Sequence, residues 1–186
     1  YQGKDIRRDS VKERFRAGIS YISDDRHGDS LVMDMTVEDN LILRDFDRQP
    51  FSRNMVLDYR QAEKRAREAL DEYSIKTSGK SGIKTPVKLM SGGNQQKVML
   101  SRWIMTEADV FLLEEPTRGI DVGAKTEVYE AIGDCVKNQK GVVVVSSEEE
   151  EVLGICDRVI VMKNGCIAAI LNAKAATTEE IKHYAV

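Results

Sequence analysis

The chain has 186 residues, 41% of them hydrophobic, and carries 28 Lys and Arg against 31 Asp and Glu for a net charge of −3. That length and apolar share build one ordinary domain, or one domain with a subdomain, around a real core, and they exclude a disordered tail. The acidic balance argues against a general nucleic-acid binder, and no apolar run reaches the ~18–20 residues that a membrane-crossing helix needs.

Tyr1 to Arg16 is polar and basic, with a turn expected at Gly3-Lys4 and a short helix over Ser10 to Ala17 capped by Ser10. Gly18 to Ile22 reads as a strand ending at Ser23-Asp24-Asp25-Arg26. Polar side chains at a strand's carboxyl end are where α/β folds hold ligands. An ordinary polar turn, with Arg26 as local counter-charge, accounts for the same residues. Thr36 followed by Glu38 and Asp39 marks a helix start. Arg44 to Asn54, containing Pro50-Phe51-Ser52, is expected to be a loop. Asp58 to Ile75 is the clearest helix, with Ala62, Ala66, Leu70 and Tyr73 on one face and Lys64, Arg65, Arg67, Glu68 and Asp71 mostly on a solvated one. Lys76 to Lys88, punctuated by Gly79, Gly82 and Pro86, is expected to be a loop.

That loop runs into Leu89-Met90-Ser91-Gly92-Gly93-Asn94-Gln95-Gln96-Lys97 and a helical pattern through Ile104. Ser91 is a good N-cap, and Gly92 and Gly93 let the backbone approach another molecule. The first turn of such a helix is a ready anion site. The plain alternative is a chance Ser-Gly-Gly turn before a core helix.

Val110 to Leu113 is a continuous apolar run, as expected of a buried parallel strand, and it delivers Glu114-Glu115-Pro116-Thr117. Two carboxylates there are costly unless they bind cations or do chemistry, the alternative being a solvated strand end. Asp121 caps an expected helix over Val122 to Val136. Val142 to Val145, four β-branched residues, read as a buried strand ending at Ser146-Ser147. Ser147 is a candidate cap for a helix with Glu148 to Glu151 in its first turn. Val159 to Met162 and Cys166 to Ile170 pair through the hairpin signal Lys163-Asn164-Gly165, and Thr178 to Tyr184 reads as a terminal helix. Cys135, Cys156 and Cys166 lack metal-ligand spacing and read as reduced thiols. His27 and His183 are isolated, and neither receives a catalytic role.

Over almost its whole length the chain resembles the ATP-binding subunits of ABC importers for simple sugars and nucleosides. Leu89 to Lys97 resembles the ABC signature, Ser23 to Arg26 the Q-loop, and Glu114 to Thr117 the Walker B motif. Thr117-Arg118-Gly119-Ile120-Asp121-Val122-Gly123-Ala124-Lys125 resembles the D-loop in the form found in these importers. The resemblance implies an α/β fold, a partial P-loop (RecA-like) ABC ATPase core with a mainly helical subdomain inserted. Residues 1–24 would end the core up to the Q-loop, 25–105 would be the helical subdomain ending in the signature, and 106–186 would be core with Walker B, D-loop and switch strand. It implies ATP and Mg²⁺ as cofactors. Glu115 would be the catalytic group that polarises the attacking water, with Glu114 and Asp24 as metal-side carboxylates. Ser91, Gly92, Gly93 and Asn94 would contact the γ-phosphate of ATP on the opposite subunit. Asp121 would link the two sites, and Ser147 would stand at the switch position.

Three residues depart from the family pattern. Glu114 replaces the usual Asp, an extra methylene at a metal that demands ~2.0–2.1 Å. Asp24 stands where most members have Gln. Ser147 stands where most have His, and a hydroxyl donates one hydrogen bond but carries no charge. The implied partners are a second ABC ATPase domain, transmembrane permease subunits and, indirectly, a periplasmic or lipoprotein substrate-binding protein. The implied location is the cytoplasmic face of the membrane, and no nucleic acid is implied. No Gly-x-x-x-x-Gly-Lys-Ser/Thr phosphate loop occurs in the sequence. The expectation is therefore a carboxyl-terminal part of a subunit that couples ATP hydrolysis to sugar or nucleoside uptake, inactive alone. The alternative is a naturally truncated, non-catalytic module that docks on ABC transporter subunits.

Overall fold

The computed structural model describes residues 1–25, 28, 30–77, 79–106 and 108–185. The readings placed on Arg26 and His27 fall outside them.

The first helix, α1 (Val11–Arg16), starts where expected. The Ser10 hydroxyl accepts from Glu13 N at 3.3 Å while the Glu13 carboxylate accepts from Ser10 N at 2.7 Å, a reciprocal capping box. Gly18, at φ +98°, turns the chain into β1 (Ile19–Ile22). A Cβ there would sit 3.1 Å from the Asp109 carboxylate and 3.5 Å from Asp109 N, so the turn needs glycine for space as well as for φ.

Residues between β1 and the next sheet strand form a helical layer. α2 (Val37–Ile42) is capped by Thr36, whose Oγ1 accepts from Asp39 N at 3.1 Å. A two-residue hairpin, β2 (Ser52–Arg53) with β3 (Val56–Leu57), turns at Asn54 and Met55, both at positive φ. It begins inside the expected loop, because four paired residues leave no readable alternation. α3 (Tyr59–Glu72) buries Ala62, Ala66 and Ala69 at helical spacing, while Leu70 and Tyr73 lie at the edge of that face. It stops at Glu72 rather than Ile75, with Ser74 at φ +50°. The stretch expected to be one loop contains two 3₁₀ segments, Gly79–Lys84 and Val87–Leu89. α4 (Gly92–Ile104) carries Val98, Met99 and Trp103 into the core against Val37 and Leu41 of α2. The small alanines of α3 let these helices approach closely.

β4 (Val110–Glu114) pairs in parallel with β1, Ile22 opposite Leu113, and with β5 (Gly141–Val145), Glu114 opposite Val145. The sheet order is β1-β4-β5. α5 (Val122–Lys137) joins β4 to β5 and lays Val128, Ile132 and Cys135 in the core shared with Ile22, Phe111 and Leu113. The opposite sheet face is open, with Tyr21 49%, Val143 50% and Val145 57% exposed. The expected buried strand at Val142 to Val145 is therefore corrected: β5 buries none of its residues, and β4 buries only alternate ones. β-branching dictated the strand, but burial depends on a second covering layer that the described residues do not supply.

α6 (Glu149–Ile155) starts after Glu148, not at Ser147. The Ser146 hydroxyl accepts from Glu148 N at 3.0 Å, so the capping role assigned to Ser147 is not made. β6 (Arg158–Lys163) and β7 (Cys166–Asn172) form an antiparallel ribbon whose turn has Asn164 at φ 51° and Gly165 at φ 78°, the geometry that favours Asn-Gly. α7 (Thr178–Ala185) closes a second core of Val159, Val161, Ala173 and Ile181. Ile160, Met162, Ile167 and Ile170 on the ribbon's outer face are exposed. Among the described residues no helix is long and apolar enough to cross a membrane.

Candidate functional site

The carboxyl ends of the three parallel strands converge. Asp24 follows β1, Glu114 ends β4 with Glu115 directly after it, and Ser146-Ser147 follow β5. Glu115 sits at φ +45°, a left-handed conformation that costs a non-glycine residue about 1–3 kcal/mol. Its N–H donates to Val145 O at 2.7 Å, and its Oε1 accepts from Ser147 N at 2.7 Å. Thus Glu115 and Ser147 are brought together, through the serine's backbone rather than its hydroxyl.

Glu114 points to the open face of the sheet and accepts from the Tyr21 hydroxyl. That hydrogen bond, with burial and the negative charges of Glu114 and Asp24, holds the Tyr21 phenol above its ordinary pKa. Asp24 in turn accepts from Arg118 Nη1 at 3.0 Å. The counter-charge of Asp24 therefore comes from beyond β4, where local sequence did not place it. Tyr21 and Arg118 are both absent from the sequence-derived site. Strand alternation was the available signal for Tyr21: it shares a face with Leu112, two residues before Glu114. Arg118 had none, since it meets Asp24 across 94 residues.

Ser91 is the N-cap of α4 by backbone geometry, yet its side chain makes no capping bond. Instead Asn94 Nδ2 donates to Ser91 Oγ at 2.8 Å, and Asn94 Oδ1 accepts from Lys76 N at 2.7 Å. The capping role expected of Ser91 is thus replaced by a side-chain pair with Asn94. Ser91 and Gly92 are exposed, and Gly93 lies beside the start of α5. A Cβ on Gly93 would be 3.8 Å from both Ala124 Cβ and Asp121 Oδ2. Asp121 caps α5, its Oδ1 accepting from Ala124 N at 3.0 Å. The signature turn and the Asp121 turn are therefore neighbours within one chain. α4 also reaches the strand ends, because Gln96 Nε2 donates to Pro116 O.

The family model described as ABC transporter matches residues 1–118. The chain belongs to the ABC transporter family. The ribose import ATP-binding protein RbsA of Corynebacterium glutamicum is 40% identical over 184 residues, covering 99% of this chain and 34% of that protein. The galactose/methyl galactoside import ATP-binding protein MglA of Clostridium perfringens is 35% identical over 181 residues, covering 97% of this chain and 34% of that protein. The chain thus spans about a third of the length of the curated relatives it matches. MJ1267, an ATP-binding cassette of an ABC transporter solved in its ADP conformation, superposes with a TM-score of 0.72 at 20% identity, covering 98% of this chain and 70% of that one. The cassette MJ0796, solved as a post-hydrolysis dimer with ADP and Pi, superposes at 0.68 with 18% identity, covering 90% and 69%. The α/β fold of an ABC cassette is therefore established for this chain.

Among the described residues no group of three or more His, Cys, Asp or Glu could hold a metal alone. The ABC cofactor pair is MgATP, and the donors present suit that case. Mg²⁺ keeps several waters and takes one or two carboxylates together with substrate phosphates, and Glu114 and Asp24 are two carboxylates near one phenol that would suit it. Each is already hydrogen-bonded, so the pair fits a metal that arrives with nucleotide rather than a resident ion.

Proposed function

We propose that this chain is the carboxyl-terminal part of the nucleotide-binding subunit of an ABC importer, coupling ATP hydrolysis to uptake of a sugar or nucleoside. The observation that carries the reading is the convergence of Glu114, Glu115, Asp24 and Ser147 at the ends of three parallel strands, with Glu115 held in a strained backbone. The substrate class follows the relatives, which are named for ribose and galactose import.

In this reading Glu115 orients and polarises the attacking water, its carboxylate held through Oε1 by Ser147 N. Glu114 and Asp24 would hold Mg²⁺, which would supply neutralisation of the phosphate charge when bound. Tyr21 and Arg118 orient those two carboxylates. Ser91, Gly92, Gly93 and Asn94 offer the first turn of α4 to the γ-phosphate of ATP on a second ATPase domain. Asp121, beside that turn, links the two ATP sites across the pair of ATPase domains. Residues 1–24 and 106–186 act as core and 25–105 as the helical subdomain, working on permease subunits at the cytoplasmic membrane face, with the substrate-binding protein engaged only indirectly. The uncovered sheet face at Tyr21, Val143 and Val145 supports a longer parent whose remaining residues would cover it.

Calorimetric titration of the 186-residue chain with MgATP tests this. No heat at millimolar nucleotide is expected, because the chain contains no phosphate loop. Micromolar binding would overturn the fragment reading. The intact transporter should hydrolyse ATP and lose at least ~10²-fold in turnover on Glu115→Gln. The second reading, a non-catalytic docking module, is favoured by the same lack of a phosphate loop. It predicts that an assembly built with the 186-residue chain hydrolyses ATP at a rate indifferent to Glu115→Gln.

A further inference from the structure

We propose that Gln96 is a positioning residue that transmits displacement of the signature turn to the Glu115 carboxylate of the same chain. The proposal rests on the reading of Ser91 to Gly93 as a phosphate contact and of Glu115 as the water-orienting group. Gln96 is 2% exposed and lies one helical turn after Gly92 on α4. Its Nε2 donates to the carbonyl of Pro116, the residue directly after Glu115. Its Oε1 is buried with no hydrogen-bond partner among the described residues. An apolar side chain of the same volume would fill this space without stranding that oxygen, so packing alone does not explain an amide here.

The far side of the same turn is also anchored. Thr117 is 1% exposed, and its hydroxyl donates at 2.6 Å to Glu151, itself 6% exposed in the first turn of α6. Glu115 is fixed in addition to β5 by its N–H and to Ser147 N by its carboxylate. The strained turn Glu115-Pro116-Thr117 is thus tethered away from the sheet on two sides, by Gln96 to α4 and by Glu151 to α6. Of these, the Gln96 tether begins on the helix whose N-terminus bears Ser91 to Gly93. A helix is stiff along its axis, so a phosphate drawing that N-terminus outward moves Gln96 with it. Pro116 O then follows or loses its donor. Either way the backbone that aims Glu115 changes, and with it the bond to Ser147 N. This gives the chain a physical path by which nucleotide at the signature alters the carboxylate of its own strand end, a coupling carried by one hydrogen bond between two rigid elements.

The test is a double-mutant cycle on ATP turnover of the assembled transporter, using Gln96→Met, which keeps volume but removes the donor. Gln96→Met is expected to lower kcat about ten-fold with KM for MgATP within about two-fold, since nucleotide binding is not its task. Ser91→Ala is expected to lower kcat by a larger factor in the parent background than in Gln96→Met, where only its direct phosphate contact is lost. Multiplicative effects, or full turnover in Gln96→Met, would overturn the proposal while leaving the site intact. Turnover that survives Glu115→Gln would instead overturn the site reading, and the coupling with it. A second readout uses the 186-residue chain alone: amide exchange at Ser147 should quicken in Gln96→Met while that of β1 is unchanged. Equal protection of Ser147 in both would count against the coupling whatever the turnover shows.

Discussion

At Glu114 the neighbouring residue is Tyr21. The Tyr21 hydroxyl donates to it, and Tyr21 ionises above its ordinary value as a result. A raised folded-state pKa stabilises the fold below the unfolded value and ceases to do so as pH rises through the folded one. The stability difference between the parent and Tyr21→Phe should therefore be present at neutral pH and shrink above pH ~10, as read from denaturant midpoints across pH. The three thiols differ as sharply: Cys166 is exposed, Cys156 is partly covered, and Cys135 is buried. Burial raises the pKa of both Cys135 and Cys156, and the thiolate is the reactive form. A thiol reagent should label Cys166 first, Cys156 more slowly and Cys135 only on unfolding, as mass spectrometry of timed samples would show. Carboxylates and glycines were legible as candidate-site residues because their types and spacing are unusual for a core. Tyr21, Arg118 and Gln96 were not, because each acts on a residue distant in sequence and looks locally like a strand, loop or helix residue.

Helices whose caps are local chemistry are legible in the amino-acid string itself. Ser10, Thr36 and Asp121 all cap where the sequence places them. Asp121→Ala should cost about 1 kcal/mol in the denaturant midpoint while Asp121→Asn should cost little, because the amide oxygen still accepts from Ala124 N. Ser91 and Ser147 are the exceptions, and both lie where the fold brings other groups within reach. Asn94 competes for Ser91 Oγ, and the Glu115 carboxylate takes Ser147 N. Strand identity followed from β-branching at β5, but its exposure did not, since burial of a strand is decided by layers that other parts of the chain supply. The β2–β3 hairpin was beyond reading because two-residue strands carry no period.

On the scale of the whole molecule, the chain has a principal core under α5 and α4 and a second one under α7. The sheet leaves Tyr21, Val143 and Val145 open, and the β6–β7 ribbon leaves Ile160, Met162, Ile167 and Ile170 open. Open apolar faces of this kind favour association with other chains. The isolated 186-residue chain should self-associate with rising concentration in sedimentation experiments. Val143→Lys, which places a charge on the open face and touches no core residue, should reduce that association.

Substitution would act on the fold itself at Glu115. Its left-handed backbone is comfortable only for glycine, and among the described residues the polar contact of its carboxylate is to an exposed N–H that water can satisfy. Glu115→Gly should therefore raise the unfolding midpoint, by about 1 kcal/mol, even as it deletes the carboxylate. A position that grows more stable when its side chain is erased is one where folding and chemistry compete, and at this strand end the chain holds the less stable choice.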